Sequence, residues 1–130
     1  MLPAPLSWRI EPLPVTPRQD GRFQTAAAMI LAFQQWAATG ASPELSCLSL
    51  GDLRILNLPG DVFVEYQLFA QTQGSGLQVA VAGYEDCGTW YLPIDATYQD
   101  NGGYEQTFAF GEPCQPRLEA AISRLLAGTP

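Results

Sequence analysis

Two short segments hold the residues whose types and spacing could do chemistry. The first is Leu-Pro-Gly-Asp at 58–61, where glycine permits a sharp turn and Asp61 follows a predicted strand. The second, at 83–93, contains acidic residues, a thiol and three aromatic residues, and it follows a predicted strand at 77–82. Because α/β sheets usually place their sites in the loops after strand ends, we expect a site at these two segments.

Each segment also has an interpretation that needs no chemistry. Asp61 is typical of a residue that caps the free amides at a helix start, which favours a helix over 62–73, where the apolar spacing fits both a strand and a helix. The aromatic loop at 83–93 could cover an edge of the core. An acid/base pair of Glu85 and Asp86 is disfavoured, because adjacent side chains on an extended segment point in opposite directions.

Composition narrows the classes of function. The chain has 13 acidic residues against 6 basic ones, all of them arginine, and no histidine, so its net charge is −7. Such a chain repels a phosphate backbone, and nucleic acid is therefore not an expected partner. The lack of histidine removes the usual general base and the usual nitrogen ligand of metals. Any chemistry must use carboxylates, phenols or thiols.

The cysteines and the apolar segments indicate which kinds of site and which cellular environments the chain is suited to. Three cysteines are too few and too widely spaced for a disulfide scaffold or a zinc ribbon, although the turn-rich surroundings of Cys87 and Cys114 leave a bridge between them open. No apolar stretch approaches the roughly 20 residues that cross a bilayer, so we do not expect an integral membrane protein. The first residues show no export signal, and the compartment stays undetermined.

The elements that position these residues follow from length and periodicity. A chain of 130 residues with 47% apolar content suits one core, and we expect a proline-rich arm or linker at 1–17 and a single α/β domain at 18–130. The predicted elements are a helix at 20–38, paired strands at 45–50 and 53–58, a helix at 62–73, a central strand at 77–82, a strand at 104–110 and a helix at 116–127. This order predicts a layered α/β sandwich, a mixed β-sheet with amphipathic helices packed on it.

At these segments the sequence resembles the neutral/alkaline non-lysosomal ceramidases and their bacterial ceramidase-like relatives. The family has Leu-Pro-Gly-Glu before a helix, and this chain has Leu-Pro-Gly-Asp at 58–61. The family's next strand leads to Gly-Tyr-Ile/Leu-Pro/Thr, which is matched by Trp-Tyr-Leu-Pro at 90–93. An aromatic residue and Gly-Gly-Tyr-Glu follow in the bacterial relatives, matched by Tyr98 and 102–105. The similarity corresponds to the C-terminal portion of the family's catalytic domain.

The resemblance implies part of a zinc amidase. Family members use zinc-activated water to hydrolyse the amide bond of ceramide, which releases a fatty acid and sphingosine. Their zinc ligands are two histidines from the upstream part, the glutamate of the Pro-Gly-Glu corner and the tyrosine of the Gly-Tyr motif. By position, the last two fall on Asp61 and Tyr91 of this chain. Asp86 and Trp90 are candidates for a loop that contacts the substrate.

This chain departs from the family pattern at two points. Asp61 is one methylene shorter than glutamate, and the chain supplies no histidine. We therefore expect it to be inactive alone and to hold no zinc, since a catalytic zinc usually needs three protein ligands. In the intact protein, an upstream histidine-bearing portion would complete the site for a lipid-like amide substrate. The alternative is a free-standing, non-catalytic domain that keeps the two segments for packing or for binding a partner.

Overall fold

The fold is built on a mixed four-stranded sheet with helices packed on it. The computed structural model describes residues 5–19, 27–85, 89–99 and 103–127. Its elements are β1 (Leu6–Pro12), α1 (Ala27–Ala37), β2 (Glu44–Leu50), β3 (Leu53–Pro59), β4 (Asp61–Val62), α2 (Val64–Gln73), β5 (Gln78–Glu85), β6 (Tyr91–Leu92), a 3₁₀ helix (Asp95–Tyr98), α3 (Tyr104–Thr107) and α4 (Gln115–Ala127). The sheet has the order β1-β2-β3-β5, and β4 pairs with β6 separately. The predicted α/β sandwich with a mixed sheet is confirmed.

Strand pairing determines where the chain can place a site. β2 and β3 form an antiparallel hairpin that closes at Leu50 and Leu53, around a turn in which Gly51 has a positive φ of 56°. β5 then pairs in parallel with β3, after the crossover through α2. Parallel strands end at the same edge of a sheet. The residues that follow β3 therefore lie beside the end of β5.

The main core lies between the sheet and helices α2 and α4. Tyr66 of α2 is buried there, and its hydroxyl donates a hydrogen bond of 2.9 Å to the carbonyl oxygen of Pro93. α4 contributes apolar residues at the three- and four-residue spacing of a single helix face. The fully buried side chains of this core include Leu45, Cys47, Leu56, Leu58, Ala70, Leu118, Ala121 and Ile122.

Side chains from distant segments hold both ends of α4. At its start, a carboxylate oxygen of Asp95 accepts a 3.0 Å hydrogen bond from the backbone amide of Gln115, whose own side chain accepts one from the Asp95 amide. At its end, the guanidinium of Arg9 donates to the carbonyl oxygens of Arg124 and Leu125, each at 3.1 Å. These bonds satisfy backbone groups that a helix leaves unpaired. They also tie β1 to the last helix.

The sheet face opposite α2 and α4 is apolar and uncovered within the described residues. β1 presents Leu6, Trp8 and Ile10 on this face, each more than half exposed. Leu50 extends the patch onto β2 as the partner of Leu6, and it is also largely exposed. Contiguous apolar patches on a folded protein commonly mark interaction surfaces. We refer to Leu6, Trp8, Ile10 and Leu50 as the open face.

The structure confirms the predicted hairpin and the last helix and differs at the proline-rich arm. Residues 6–12 of that arm form β1, an edge strand paired along its length with β2. Proline lies only at the end of this strand, at Pro12, so the preceding residues keep the amide groups that the ladder needs. The segment is therefore part of the sheet. The predicted helix at 20–38 is α1 where it is described, and residues 20–26 lie outside the described ranges.

Two strand predictions were wrong in position or type. The run at 77–82 was expected in the centre of the sheet, but β5 lies at its edge, with Ala80 and Ala82 exposed. Residues 104–110 were expected as a strand. Instead Gly103, with a φ of 80°, leads into the short helix α3, and Ala109 makes an isolated bridge to Trp90. None of the helices within the described residues is long and apolar enough to cross a membrane.

Candidate functional site

A tight corner after β3 positions the first candidate residue. Gly60 has a φ of 83°, a left-handed conformation that L side chains rarely adopt. A Cβ atom here would collide with the carbonyl oxygen of Trp90 and the hydroxyl of Thr89. Only glycine therefore lets the corner approach the loop before β6 this closely. Asp61 is the first residue after the corner.

The corner and the loop are joined by a two-residue parallel ladder. Asp61 pairs with Tyr91 and Val62 pairs with Leu92. The amide of Asp61 donates a hydrogen bond of 2.5 Å to the carbonyl oxygen of Trp90. The ladder thus places the acid and the phenol of the two sequence segments side by side.

The phenols of Tyr84 and Tyr91 both face the carboxylate of Asp61. The hydrogen bond to Asp61 and the negative charge of that carboxylate raise the pKa of Tyr84 above its ordinary value. Partial burial and the same negative charge raise the pKa of Tyr91. Both phenols therefore stay protonated near neutral pH and act as donors to the carboxylate.

Asp61 does not cap α2, contrary to the interpretation that favoured a helix there. The residue at the N-cap is Phe63, and no side chain makes a capping hydrogen bond at that end. The helix itself forms as predicted, from Val64 to Gln73. The reason is the ladder with β6, which fixes Asp61 in extended backbone before the helix begins. Its carboxylate is thereby free to meet the phenols.

Tyr84 is a site residue that sequence reasoning missed. It lies near the end of β5 with a positive φ of 66°, and its amide donates a 2.7 Å hydrogen bond to the carbonyl oxygen of Gly60. Trp90 has a similar backbone, with a φ of 56°. Non-glycine residues in this region are uncommon and cluster at functional sites. The signal available in the sequence was an aromatic residue directly after Gly83, at the end of a strand parallel to β3.

These residues line one cleft of about 330 Å³, near the lower end of the range for ligand sites. Its lining is mainly aromatic, and among the described residues Asp61 is the carboxylate on it. Tyr91 and Tyr104 meet edge to face, with ring centroids 6.0 Å apart and planes at 84°. The lining residues are Gly60, Asp61, Tyr84, Trp90, Tyr91 and Tyr104.

A second layer of aromatic rings supports the cleft from behind. Trp90 packs on Phe108 and Phe110, with centroid distances of 5.7 Å and 5.5 Å. Phe110 in turn contacts Phe33 of α1, and together with Ile30 these two form a small buried cluster separate from the main core. Trp90 is thus connected to α1 through Phe110, at a cluster that is separate from the main core.

The other candidate residues lie outside the described ranges or away from the cleft. Asp86 and Cys87 are among residues 86–88, which the structure does not describe. Cys114 is buried in the main core next to α4. The structure has Cys114 as a free thiol, whereas Cys87, its partner in the bridge that the sequence leaves open, lies outside the described ranges. The role of Asp86 in contacting substrate stays a prediction.

The described residues of the cleft do not form a complete zinc coordination shell. Among the described residues, no three histidine, cysteine, aspartate or glutamate side chains lie together as a metal site. Asp61 offers a carboxylate, but the phenols of Tyr84 and Tyr91 are protonated donors in this arrangement. A structural or catalytic zinc usually takes three or four protein ligands. The described residues do not fit zinc by themselves, and further ligands would have to come from elsewhere.

Comparison of the chain with protein-family models, with curated proteins and with solved structures gives no significant match. Function must therefore be argued from the cleft and from the surfaces around it.

Proposed function

We propose that this chain is the C-terminal portion of a ceramidase-like zinc amidohydrolase, which contributes Asp61 and Tyr91 to a metal site and is inactive alone. The observation that supports the proposal is the contact between these two side chains. Asp61 and Tyr91 come from separate sequence segments that match the family's ligand motifs, and they pair in one short ladder. A helix cap at Asp61 and a distant Tyr91 would have argued against it.

The missing ligands would come from an upstream, histidine-bearing portion. The open face supports a large partner of this kind, because Leu6, Trp8 and Ile10 would be buried when another part of the protein packs on the sheet. Zinc supplies Lewis-acid activation of water and of an amide carbonyl. The substrate class follows from the resemblance and is an N-acyl amide of a sphingolipid-like molecule.

Within this proposal, the residues of the chain have separate tasks. Asp61 offers a carboxylate oxygen, and its shorter side chain requires the metal to lie closer to the corner than it would with glutamate. Tyr91 offers a phenol oxygen from the neighbouring strand. Tyr84 acts through Asp61, because its hydroxyl donates to the carboxylate and fixes the orientation of that side chain.

The test is to isolate the chain together with the histidine-bearing portion and to measure zinc content and hydrolysis of an N-acylsphingosine. The expected result is stoichiometric zinc and amide hydrolysis, both lost in Asp61→Ala. Tyr84→Phe should weaken zinc binding by about tenfold or more, since outer-shell partners of metal ligands contribute that much. Asp52→Asn, at an exposed turn, is the matched control. A full-length product without histidine, or an Asp61→Ala variant with normal zinc, overturns the proposal.

A second candidate, a non-catalytic partner-binding domain, is favoured by the open face alone. In that case Trp8→Ser and Ile10→Ser should abolish association with the partner, whereas Asp61→Ala should leave it unchanged. The zinc proposal also expects Trp8→Ser and Ile10→Ser to weaken the association of the two portions, but only this proposal expects Asp61→Ala to remove amide hydrolysis. Measuring complex formation by analytical ultracentrifugation beside amide hydrolysis separates the two functions.

A further inference from the structure

We propose that the cleft at Asp61 binds a small quaternary ammonium cation. The inference does not depend on the zinc proposal, because it concerns the chain alone and requires neither a metal nor an upstream portion. It rests on the chemistry of the cleft lining, whose described residues combine four aromatic rings with one carboxylate around a volume of about 330 Å³.

The aromatic rings are placed to receive a cation from solvent. Tyr84 and Tyr104 are 66% and 62% exposed, and Trp90 is 38% exposed, so their faces are not consumed by the core. Tyr91 and Tyr104 meet at 84°, which makes a corner of two perpendicular walls. The negative π-face of an aromatic ring attracts a cation, and tryptophan and tyrosine are the strongest such groups.

Electrostatics selects the sign of the ligand. Among the ion pairs of the described residues none involves Asp61, and the hydroxyls of Tyr84 and Tyr91 face its carboxylate. The whole chain carries a net charge of −7, which attracts cations and repels anions at this surface. An anionic ligand is therefore disfavoured in the cleft.

In the chain alone, the apolar walls of the cleft favour an organic cation over a metal ion. A small metal ion would have to give up its water for one carboxylate and for phenols that stay protonated. A trimethylammonium group presents methyl groups to the rings and carries its charge without hydrogen-bond donors. The trimethylammonium group therefore requires no hydrogen-bond acceptors beyond those that the cleft lining provides.

The local backbone holds the rings in place for this task. Both Tyr84 and Trp90 adopt left-handed backbone, and each is fixed by a backbone hydrogen bond at the Gly60 corner. Trp90 is packed from behind by Phe108 and Phe110. A rigid lining loses little conformational freedom when a ligand binds, which favours binding.

The test uses the 130-residue chain and choline as the probe, with titration calorimetry and indole resonances in NMR as the readouts. The neutral control is the carbon isostere of choline, in which a tert-butyl group replaces the trimethylammonium group. We expect saturable choline binding with perturbation of the Trp90 indole. The isostere should bind about tenfold more weakly or not at all, because it lacks the charge that the rings and Asp61 attract.

Three variants make the result specific. Tyr104→Leu removes an exposed ring and should weaken choline binding about fivefold to tenfold, while Asp61→Asn should weaken it by a similar factor at unchanged fold. Trp8→Leu, on the open face, is the matched control and should bind as wild type. Equal binding of choline and its isostere, or wild-type binding by Tyr104→Leu, overturns the inference. Because the titration contains no zinc and no upstream portion, its failure leaves the zinc proposal standing, and the converse also holds.

Discussion

Tyr91 lies directly opposite Asp61 in a parallel ladder of two residue pairs, although α2, β5 and the aromatic loop separate them along the chain. The ladder depends on Gly60, which allows the backbone of the corner to approach the carbonyl of Trp90. The phenols of Tyr84 and Tyr91 then donate to one carboxylate. The pKa of both phenols therefore depends on the charge of Asp61.

Removing that charge should make two tyrosines easier to ionise. In Asp61→Asn, the pKa of Tyr84 and of Tyr91 should fall toward the ordinary tyrosine value, because the charge and the hydrogen bonds that favour the neutral phenols are lost. Alkaline titration of tyrosinate absorbance in the near ultraviolet measures the shift. Asp52→Asn should leave the titration curve unchanged. A curve for Asp61→Asn that coincides with wild type contradicts the described contact.

The corner glycine should be more sensitive to substitution than another glycine with the same backbone. Gly60→Ala should lower the free energy of unfolding by about 3 kcal/mol or more, since it combines left-handed strain with a collision against backbone. Gly76→Ala is the matched control, because Gly76 has a φ of 82° and open space around it. It should cost only about 1–2 kcal/mol. Urea unfolding of both variants gives the comparison, and equal losses would argue against close packing at Gly60.

The buried hydroxyl of Tyr66 should contribute measurably to stability. Tyr66→Phe leaves the carbonyl oxygen of Pro93 without this donor in the core, and we expect a loss of about 1–2 kcal/mol. Tyr104→Phe removes a hydroxyl from a side chain that is largely exposed and should change stability by less than about 0.5 kcal/mol. Thermal or urea unfolding monitored by circular dichroism gives both values. A neutral Tyr66→Phe would mean that the carbonyl finds another partner.

The folded chain should lose stability in alkaline solution through a buried thiol. Burial raises the pKa of Cys114 from an ordinary value of 9.0 to about 11. The unfolded chain therefore releases this proton first. The resulting stabilisation of about 2–3 kcal/mol is fully present below pH 9 and is lost as the pH rises toward 11.

Urea unfolding in reducing buffer across that pH range measures the effect. Burial also raises the pKa of Tyr66, which adds to the alkaline loss. Cys114→Ala isolates the thiol, since this variant should be less stable throughout but should show a shallower decline above pH 9. Parallel declines in wild type and Cys114→Ala would exclude the thiol as the cause.

Local patterns were enough to predict the hairpin and the last helix, but not the places of strands in the sheet. The alternation in 45–58 and the helical spacing in 116–127 depend only on neighbours in sequence, and both are confirmed. The run at 77–82 was misplaced because its alanines suit a buried strand and an exposed edge equally well. Its place is set by pairing with β3 on the side that β2 leaves free, and no described strand of this sheet pairs with the other side of β5.

Part of the candidate site could be predicted from the sequence, because two of its residues lie in recognisable local motifs. Motif order drew attention to Asp61 and Tyr91, and their metal-binding role remains a prediction. Tyr84 could not be found this way, because its ring reaches the cleft only through a left-handed backbone that tyrosine rarely adopts. The wrong prediction of a strand at 104–110 also results from an unusual backbone conformation. Gly103 has a positive φ and leads into helix α3, and the ring of Tyr104 then contacts the ring of Tyr91. Backbone geometry of this kind is set by tertiary contacts.

The hydrogen bonds from Arg9 to the end of α4 have a consequence for the biosynthesis of this domain. β1 leaves the ribosome before its hydrogen-bonding partner β2 and before the helix that Arg9 contacts, and α4 is made last among the described elements. A nascent chain that stops before α4 lacks most of the helical side of the core. Cotranslational folding therefore cannot be completed until α4 has emerged, and until then the apolar strands need protection from aggregation, which chaperones provide.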